Sequence, residues 1–381
     1  MKIALVHDQL QEFGGAERVL VSLKKIFPQA DVFTSFYNPQ TLGVHQTHFK
    51  NVKINSSWAD KLPFVKKFYS PLRFITPWIW ESFDFSSYDV VISSSGSYMS
   101  KGIITRPETI HICYLHHQPR YLYYYETAVE WQKYLTFRVY GHLINHELRQ
   151  WDYVSSQRVD YFIANSEETK KRIQKFYRCD STVIYPPVNV PKTVTTFRRP
   201  SESRTLNPNY YITVSRLARA KHVEVLIKAA NKMKLTLKIV GVGRDDKYLK
   251  SISGDTVELL GNLTDQSLGY LYKNAEASLY SGVDEEFGIA AVEAMGYGLP
   301  IIAFASGGLK ETVKDGINGY LFDKLDPLDL SKKIKQLESL SKEKYIEMRK
   351  NARKESEKYG FDIFKKKILE FVDNHARTPR G

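Results

Sequence analysis

Cysteine is almost absent. Cys113 and Cys179 are the two thiols in 381 residues, too few for a disulfide framework and without partners at zinc-ligand spacing. Long apolar runs are missing as well. The opening MKIALVHDQL holds a short apolar run cut by His7 and Asp8, whereas a secretory signal needs a longer one, and no stretch approaches membrane-spanning length. The glycine turn in LKIVGVG (237–243) lacks the third glycine and the spaced acid of a dinucleotide fingerprint, which excludes an NAD site of that kind. No Asp-x-Asp pair is present to hold a metal. These absences point to a cytoplasmic protein, with peripheral attachment to a membrane face as the one route to lipid.

What the chain has in excess is positive charge: 55 Lys and Arg against 42 Asp and Glu, a net +13. That balance implies an anionic partner, which could be nucleic acid, an anionic lipid surface or a phosphorylated substrate. Aromatic residues are plentiful too, with 25 Tyr and 20 Phe. The length implies two domains. Apolar runs at 2–7, 30–36, 88–93, 111–115 and 161–164 alternate with helical patterns, notably at 147–157 and 167–176. A second set begins at 210–214 and recurs at 237–243, 257–260, 277–280 and 301–304. Strands alternating with helices make a parallel sheet covered on both faces. The stretch 191–209, rich in Pro, Ser, Thr and Arg, reads as a linker. It separates an N-terminal domain (1–190) from a C-terminal one (210–359), and residues 360–381 form a tail.

The most informative stretch is 281–308, SGVDEEFGIAAVEAMGYGLPIIAFASGG. An acidic turn runs into Phe287–Gly288, a small-residue helix follows, Pro300 ends it, and a buried strand comes next. The helix start offers unpaired N–H groups and partial positive charge to a phosphate. Glu285 stands just before the helix and Glu293 inside it, and carboxylates grip vicinal hydroxyls well. Phosphate plus two acids spells a phosphorylated sugar or nucleotide. A second glycine turn, Gly14–Gly15, follows the first strand and opens a helix, again where backbone can approach a phosphate. The strand at 111–115 delivers His116–His117 to the carboxyl edge of the first sheet, where α/β proteins bind ligands.

The pattern E-E-F-G-x4-E-A-M closely resembles the Glu-x7-Glu signature of family 4 glycosyltransferases, with Glu285 and Glu293 as its acids. The resemblance runs from residue 2 to at least 322. It takes in the GG(A)E loop at Gly14–Gly15, the N-S segment at Asn165–Ser166, the Pro186–Pro187–Val188 element and an Arg-Leu-x3-Lys pair at Arg216 and Lys221. The segment from His116 to Tyr121 resembles the His-x-x-Pro-Arg-Tyr segment of bacterial mannosyltransferase-like members, with Gln118 where the family often has proline. Either His116 or His117 then faces the cleft, and His116 takes the family position.

This resemblance implies an α/β protein of two facing Rossmann-like domains, the GT-B fold, with a C-terminal helix crossing back onto the first domain and a disordered end at 375–381. It implies a retaining glycosyltransferase whose donor, a nucleotide-diphosphate sugar with GDP-mannose favoured, binds the second domain without a metal. Arg216 and Lys221 would hold the diphosphate and stabilise the charge that grows on the leaving group. Glu293 would take the ribose, Glu285 the sugar hydroxyls, and the backbone of Phe287, Gly288 and Ile289 the sugar or phosphate. Gly243 and Leu263 would lie beside the nucleotide. Gly14, Gly15 and His116 would come from the first domain, with Arg120 and Tyr121 on the acceptor side. The expected acceptor is a saccharide or lipid-linked saccharide of polysaccharide or lipopolysaccharide synthesis.

One segment breaks the alternation. Residues 58–80 carry Trp58, Phe64, Phe68, Tyr69, Phe74, Trp78 and Trp80 with Lys61, Lys66, Lys67 and Arg73, against Asp60 as the one acid. This composition suits the headgroup layer of an anionic membrane; the alternative is that the aromatics cover the core and the lysines are merely solvated. Competing functions are a nucleotide-sugar epimerase on the same fold, a basic nucleic-acid-binding protein and a non-catalytic nucleotide-sugar sensor. No recognised DNA- or RNA-binding module supports the second.

Overall fold

The computed structural model describes residues 1–127, 135–192, 197 and 210–376. The chain divides into two units. One comprises Met1–Tyr125, Trp131–Pro187 and Phe361–Gly381, and the other Glu126–Glu130 and Val188–Gly360.

The first unit is built on seven strands: β1 (Ile3–His7), β2 (Asp31–Thr34), β3 (Ile54–Ser56), β4 (Val90–Ser95), β5 (Ile110–Leu115), β6 (Tyr161–Ala164) and β7 (Ser181–Val183). They pair in the order β3-β2-β1-β4-β5-β6-β7, all parallel. Because successive side chains point to opposite faces, an apolar run supplies both cores at once. Leu5, Val32, Ile92, Ile112 and Ile163 face the helix Gly15–Ile26 and the C-terminal helix Phe361–Ala376. Ala4, Val6 and Val91 face Ile79, Trp80, Phe85 and Tyr98 on the other side. The final helix therefore belongs to the first unit, with Phe364, Ile368, Phe371 and Val372 in its core.

The second unit has six parallel strands: β8 (Tyr210–Val214), β9 (Thr236–Val240), β10 (Val257–Gly261), β11 (Ser278–Tyr280), β12 (Ile301–Phe304) and β13 (Gly319–Phe322). Their order is β10-β9-β8-β11-β12-β13, the doubly wound arrangement in which ligands bind at the carboxyl edge beside the reversal of strand order. That reversal lies between β8 and β11. One face packs on the helices Val223–Met233 and Pro327–Glu338, the other on Asp265–Asn274 and Ile289–Gly296.

Several expectations need correction. The helix expected at 147–157 spans Leu135–Ser156; its N-terminal half exposes Leu135, Val139 and Leu143 among polar residues, so no clean apolar stripe announces it. The expected disordered end starts too early: His375 and Ala376 finish the last helix, with the His375 ring 4.1 Å from that of Tyr161. Residues 377–381 and nearly all of the linker expected at 191–209 lie outside the described residues. β3 and β7 are short edge strands with no fully buried position, so they carry no apolar run to announce them.

Candidate functional site

Every donor-side residue expected in the second unit lies on a loop leaving the carboxyl edge of its sheet or on the helix that follows. After β8 the chain runs through the exposed Arg216 and a short turn, Arg219–Lys221. After β11 it runs through the acidic turn. These loops flank the strand-order reversal, and they are laced together. Ser281 Oγ donates to the carbonyls of Lys221 and His222, each at 2.9 Å, and the Val283 N–H donates to the Ala220 carbonyl at 3.0 Å. The result brings the Lys221 ammonium into contact with Glu285 Oε2, an ion pair in which both side chains are about three-quarters buried (27% and 22% exposed).

Glycines set the backbone of both loops. A Cβ at Gly243 would stand 2.0 Å from the Leu217 carbonyl oxygen. The turn after β9 thus rests directly on the Arg216 loop, fixed there by the Leu217 N–H to the Val242 carbonyl at 3.0 Å. Gly307 plays the same part for the acidic turn: its Cβ would meet the Glu285 carbonyl oxygen at 2.0 Å, at a left-handed φ of 56°. The Gly308 N–H donates to that carbonyl at 2.7 Å, and Ser306 Oγ accepts from the Asp284 N–H at 2.9 Å. Gly288 is the N-cap of the helix Ile289–Gly296, which no side chain caps, so its leading N–H groups point out from the helix start. Glu293 is buried on that helix (8% exposed). Phe287 is a core residue, its ring 5.1 Å from that of Tyr359. Leu263 follows β10 and packs against the apolar cluster around Tyr280 and Ala291.

In the first unit the carboxyl edge gathers a different set. Asp8, directly after β1, accepts from the N–H groups of Gly96 (3.0 Å), Tyr98 (2.7 Å) and Ser100 (2.9 Å), which clamps the loop after β4. His116 leaves β5 with its N–H on the Ser95 carbonyl (2.8 Å) and its own carbonyl on Asn165 Nδ2 (2.9 Å). Its ring is buried and its Nε2 lies 2.7 Å from Ser94 Oγ. His117 is half-buried, with Nδ1 on the Gln118 carbonyl at 2.8 Å. Gln118 itself is fully buried. His111, on the same strand, is a core residue whose pKa burial pushes down to about 3. Tyr121 rests its ring under the Arg73 guanidinium at 4.4 Å and its hydroxyl on the Ser97 carbonyl at 3.3 Å, while Arg120 sits one residue earlier in the same turn.

At the glycine turn, the Gly14 N–H donates to Glu17 Oε2 at 2.7 Å, the acid three residues on reaching back to the helix N-cap, and Gly15 is the first residue of the helix. The sequence reading missed His7, Glu17 and Ser94, which stand behind His116. The acid of the GG(A)E loop and the Ser93–Ser94–Ser95 end of β4 were the signals available for them.

Segment 58–80 divides in two. Ala59, Ile75, Ile79 and Trp80 are core, and Trp80 Nε1 donates to the Tyr98 carbonyl at 2.6 Å. Lys66 is folded onto Asp60 at 2.9 Å. Trp80, Lys66 and Arg73 thus serve the fold, while Phe64 (76% exposed), Trp78 (61%), Phe68, Trp58 and Phe74 project outward with Lys61 and Lys67.

Comparison with known proteins matches residues 13–192 to the model described as Glycosyltransferase Family 4 and residues 194–355 to that of Glycosyl transferases group 1. Solved structures superpose over almost the whole chain. Anabaena Alr3699/HepE in complex with UDP-glucose gives a TM-score of 0.72 at 19% identity, covering 98% of this chain and 100% of that one. Sucrose-phosphate synthase from Thermosynechococcus elongatus gives 0.75 at 17% identity, covering 98% and 99%. The chain belongs to the GT-B glycosyltransferases. Within them it is 26% identical over 303 residues to the UDP-N-acetylglucosamine–peptide N-acetylglucosaminyltransferase GtfA subunit of Streptococcus pneumoniae serotype 4, covering 75% of this chain and 55% of the relative. It is 34% identical over 113 residues to a GDP-mannose-dependent alpha-mannosyltransferase of Corynebacterium glutamicum, covering 30% of this chain and 27% of the relative. The chain spans 35% to 61% of the length of the first curated relatives it matches. Among its described residues no three His, Cys, Asp or Glu side chains converge as a metal would require, and no helix is long and apolar enough to cross a membrane.

Proposed function

We propose that the protein is a retaining glycosyltransferase that moves a hexose from a nucleoside-diphosphate sugar to a saccharide or lipid-linked saccharide acceptor. The observation that carries this reading is the Lys221–Glu285 contact beside the strand-order reversal of the second sheet. A cation for a diphosphate and an acid for sugar hydroxyls stand side by side, with a helix start and Glu293 next along the chain. Arg216 and Lys221 would take up the negative charge that develops as the sugar leaves. Arg is suited to two oxygens at once and Lys acts as a point charge. Two fixed cations supply what a metal would otherwise supply, so no metal enters this reading. On the first unit, His116, Arg120 and Tyr121 are assigned to the sugar and acceptor.

For the donor base the comparisons favour uridine, since the first relatives are named for UDP-N-acetylglucosamine and the Anabaena structure is a UDP-glucose complex. GDP-mannose is the second reading, favoured by the His116–Tyr121 segment and the corynebacterial relative. The aromatic edge at 58–78 is assigned to an anionic membrane face carrying the lipid-linked acceptor. Thermal stabilisation by a panel of UDP-, GDP- and ADP-sugars tests the donor, because a ligand selective for the native state raises the melting temperature by mass action. A shift with one base alone is the expected result; no shift with any contradicts the reading.

A further inference from the structure

The connection after β5 makes a turn that holds a tyrosine where glycine is the usual residue. Arg120–Leu122 is a short 3-10 turn with Tyr123 as its C-cap. The Tyr125 N–H returns to the Arg120 carbonyl at 3.2 Å, the bond that closes a helix when the residue just past its cap is left-handed. That residue is Tyr124, at φ 61°. A bulky side chain meets steric repulsion in this backbone, which glycine avoids and asparagine tolerates.

The turn is gripped by one face of the helix Leu135–Ser156. Asn145 Nδ2 donates to the Tyr121 carbonyl at 3.2 Å and Arg149 Nε to the Leu122 carbonyl at 2.9 Å, while Asp152 Oδ2 accepts from Tyr123 Oη at 2.7 Å. Positions i, i+4 and i+7 share a helix face, so three successive residues of the turn are held in order along it. Asp152 is itself anchored, since it is fully buried and its Oδ1 pairs at 2.9 Å with the equally buried Lys101 ammonium. The surroundings therefore impose the left-handed residue.

The neighbouring tyrosines are engaged. Tyr121 lies under the Arg73 guanidinium, the Tyr123 ring stands 4.3 Å from that of Phe176, and Tyr125 lies under the Arg172 guanidinium at 4.5 Å. Tyr124 between them is 85% exposed. Among the described residues its ring has the Arg149 guanidinium for a partner, 5.8 Å from the ring centre, at the outer edge of a cation–π contact. The side chain neither relaxes the turn nor adds to the core. Packing does not account for a tyrosine here.

We propose that Tyr124 is a sugar-stacking residue on the acceptor side, whose ring takes the C–H face of a pyranose. The inference rests on the reading of this connection, which begins at His116, as the acceptor side of a glycosyltransferase. An aromatic face carries negative partial charge, and the C–H groups on the less hydroxylated face of a sugar are apolar and slightly positive. Tyr121 has a face of its ring covered by Arg73, and Tyr124 supplies the open ring three residues on. Because the turn is preset, little ordering cost is left for the moment of binding.

The test uses the full chain with 13C-labelled tyrosine rings, the Tyr124 signal being identified by its loss in Tyr124→Phe. The probes are the butyl glycosides of glucose, N-acetylglucosamine and mannose, with butanol as the control for the alkyl chain. At least one glycoside should shift the Tyr124 signal saturably, and butanol should not. Tyr124→Phe keeps the ring and should bind that glycoside within about twofold of wild type. Tyr124→Asn keeps the left-handed turn without the ring, so its melting temperature should not fall while its affinity for the glycoside drops about tenfold. A Tyr124 signal silent to every glycoside, a response shared by butanol, full affinity in Tyr124→Asn, or lost affinity that tracks a lowered melting temperature overturns the proposal. Binding is read without turnover, so the two readings fail separately. Stacking in a protein that transfers no sugar defeats the transferase reading alone, and transfer to a glycoside with Tyr124 silent defeats the stacking.

Discussion

The Lys221 ammonium rests on the Glu285 carboxylate, so the cation assigned to the diphosphate is held by the acid assigned to the sugar. A diphosphate and Glu285 compete for the same ammonium, and the carboxylate also repels the incoming anion. Replacing Glu285 with glutamine should therefore tighten binding of bare UDP or GDP by roughly two- to tenfold, as expected for a partly screened pair. The same change should lower transfer by ~10²-fold or more, since hydroxyl contacts made in the transition state are lost. Calorimetry on the nucleotide and initial rates on the sugar nucleotide read the two halves separately. Loss of both binding and turnover would count against this arrangement.

Arg216 lies exposed on the loop after β8, beside the Lys221 turn. Arg216→Ala should lower kcat by ~10²-fold or more, because a guanidinium that meets growing charge stabilises the transition state more than the ground state. Steady-state kinetics with saturating donor checks this, and unchanged turnover removes Arg216 from that role.

Gly243 and Gly307 are where backbone touches backbone beneath the two loops. Alanine at either position forces a carbonyl oxygen to move, and at Gly307 it also strains a left-handed φ. Each substitution should destabilise the protein by about 1–3 kcal/mol in urea unfolding. Gly261 and Gly316, around which a Cβ meets nothing within 4 Å, lack the backbone clash and should show only the smaller cost of a positive φ.

His222 gains a proton more readily in the fold than in the unfolded chain, chiefly through its hydrogen bond to Glu224 and despite burial, with Glu126 adding to the effect. A raised folded pKa contributes stability that is fully present below the ordinary histidine value and is lost as pH rises through the folded one. Melting temperature should accordingly fall from mildly acidic to mildly alkaline pH. His222→Asn tolerates the left-handed backbone there (φ 47°) and should flatten that fall; an unchanged slope would assign it to other groups.

The outward aromatics at 58–78 give a separable test. The protein should co-sediment with phosphatidylglycerol vesicles at low salt and release at high salt. Phe64→Ser with Trp78→Ser should weaken that binding by tenfold or more, since both side chains are largely exposed and removing them disturbs no core. Equal binding to neutral vesicles would contradict the electrostatic part.

The fold was legible because strands buried on both faces must be nearly all apolar, and runs such as 4–6, 90–92 and 301–303 can be little else. The acidic turn and Arg216–Lys221 pair were legible as spacing along the chain. What spacing could not carry was contact across it. That Lys221 meets Glu285, 64 residues on, depends on Ser281 and Val283 holding the Lys221 turn. The hydrogen-bonded line from Glu17 through His7 and Ser94 to His116 joins three strand ends whose order only the sheet reveals. In 58–80, composition counted aromatics and lysines alike. It could not say that Trp80 is core while Trp78 is exposed, since two positions on so short a helix differ only in the face they present.

The most direct measurement is to incubate the protein with UDP- and GDP-linked α-hexoses without acceptor and follow the released sugar by proton NMR. Slow release of nucleoside diphosphate with the α-anomer formed first, abolished in Arg216→Ala, is the expected result. Formation of the β-anomer first would contradict a retaining transfer, and no release from any donor that binds would contradict catalysis itself.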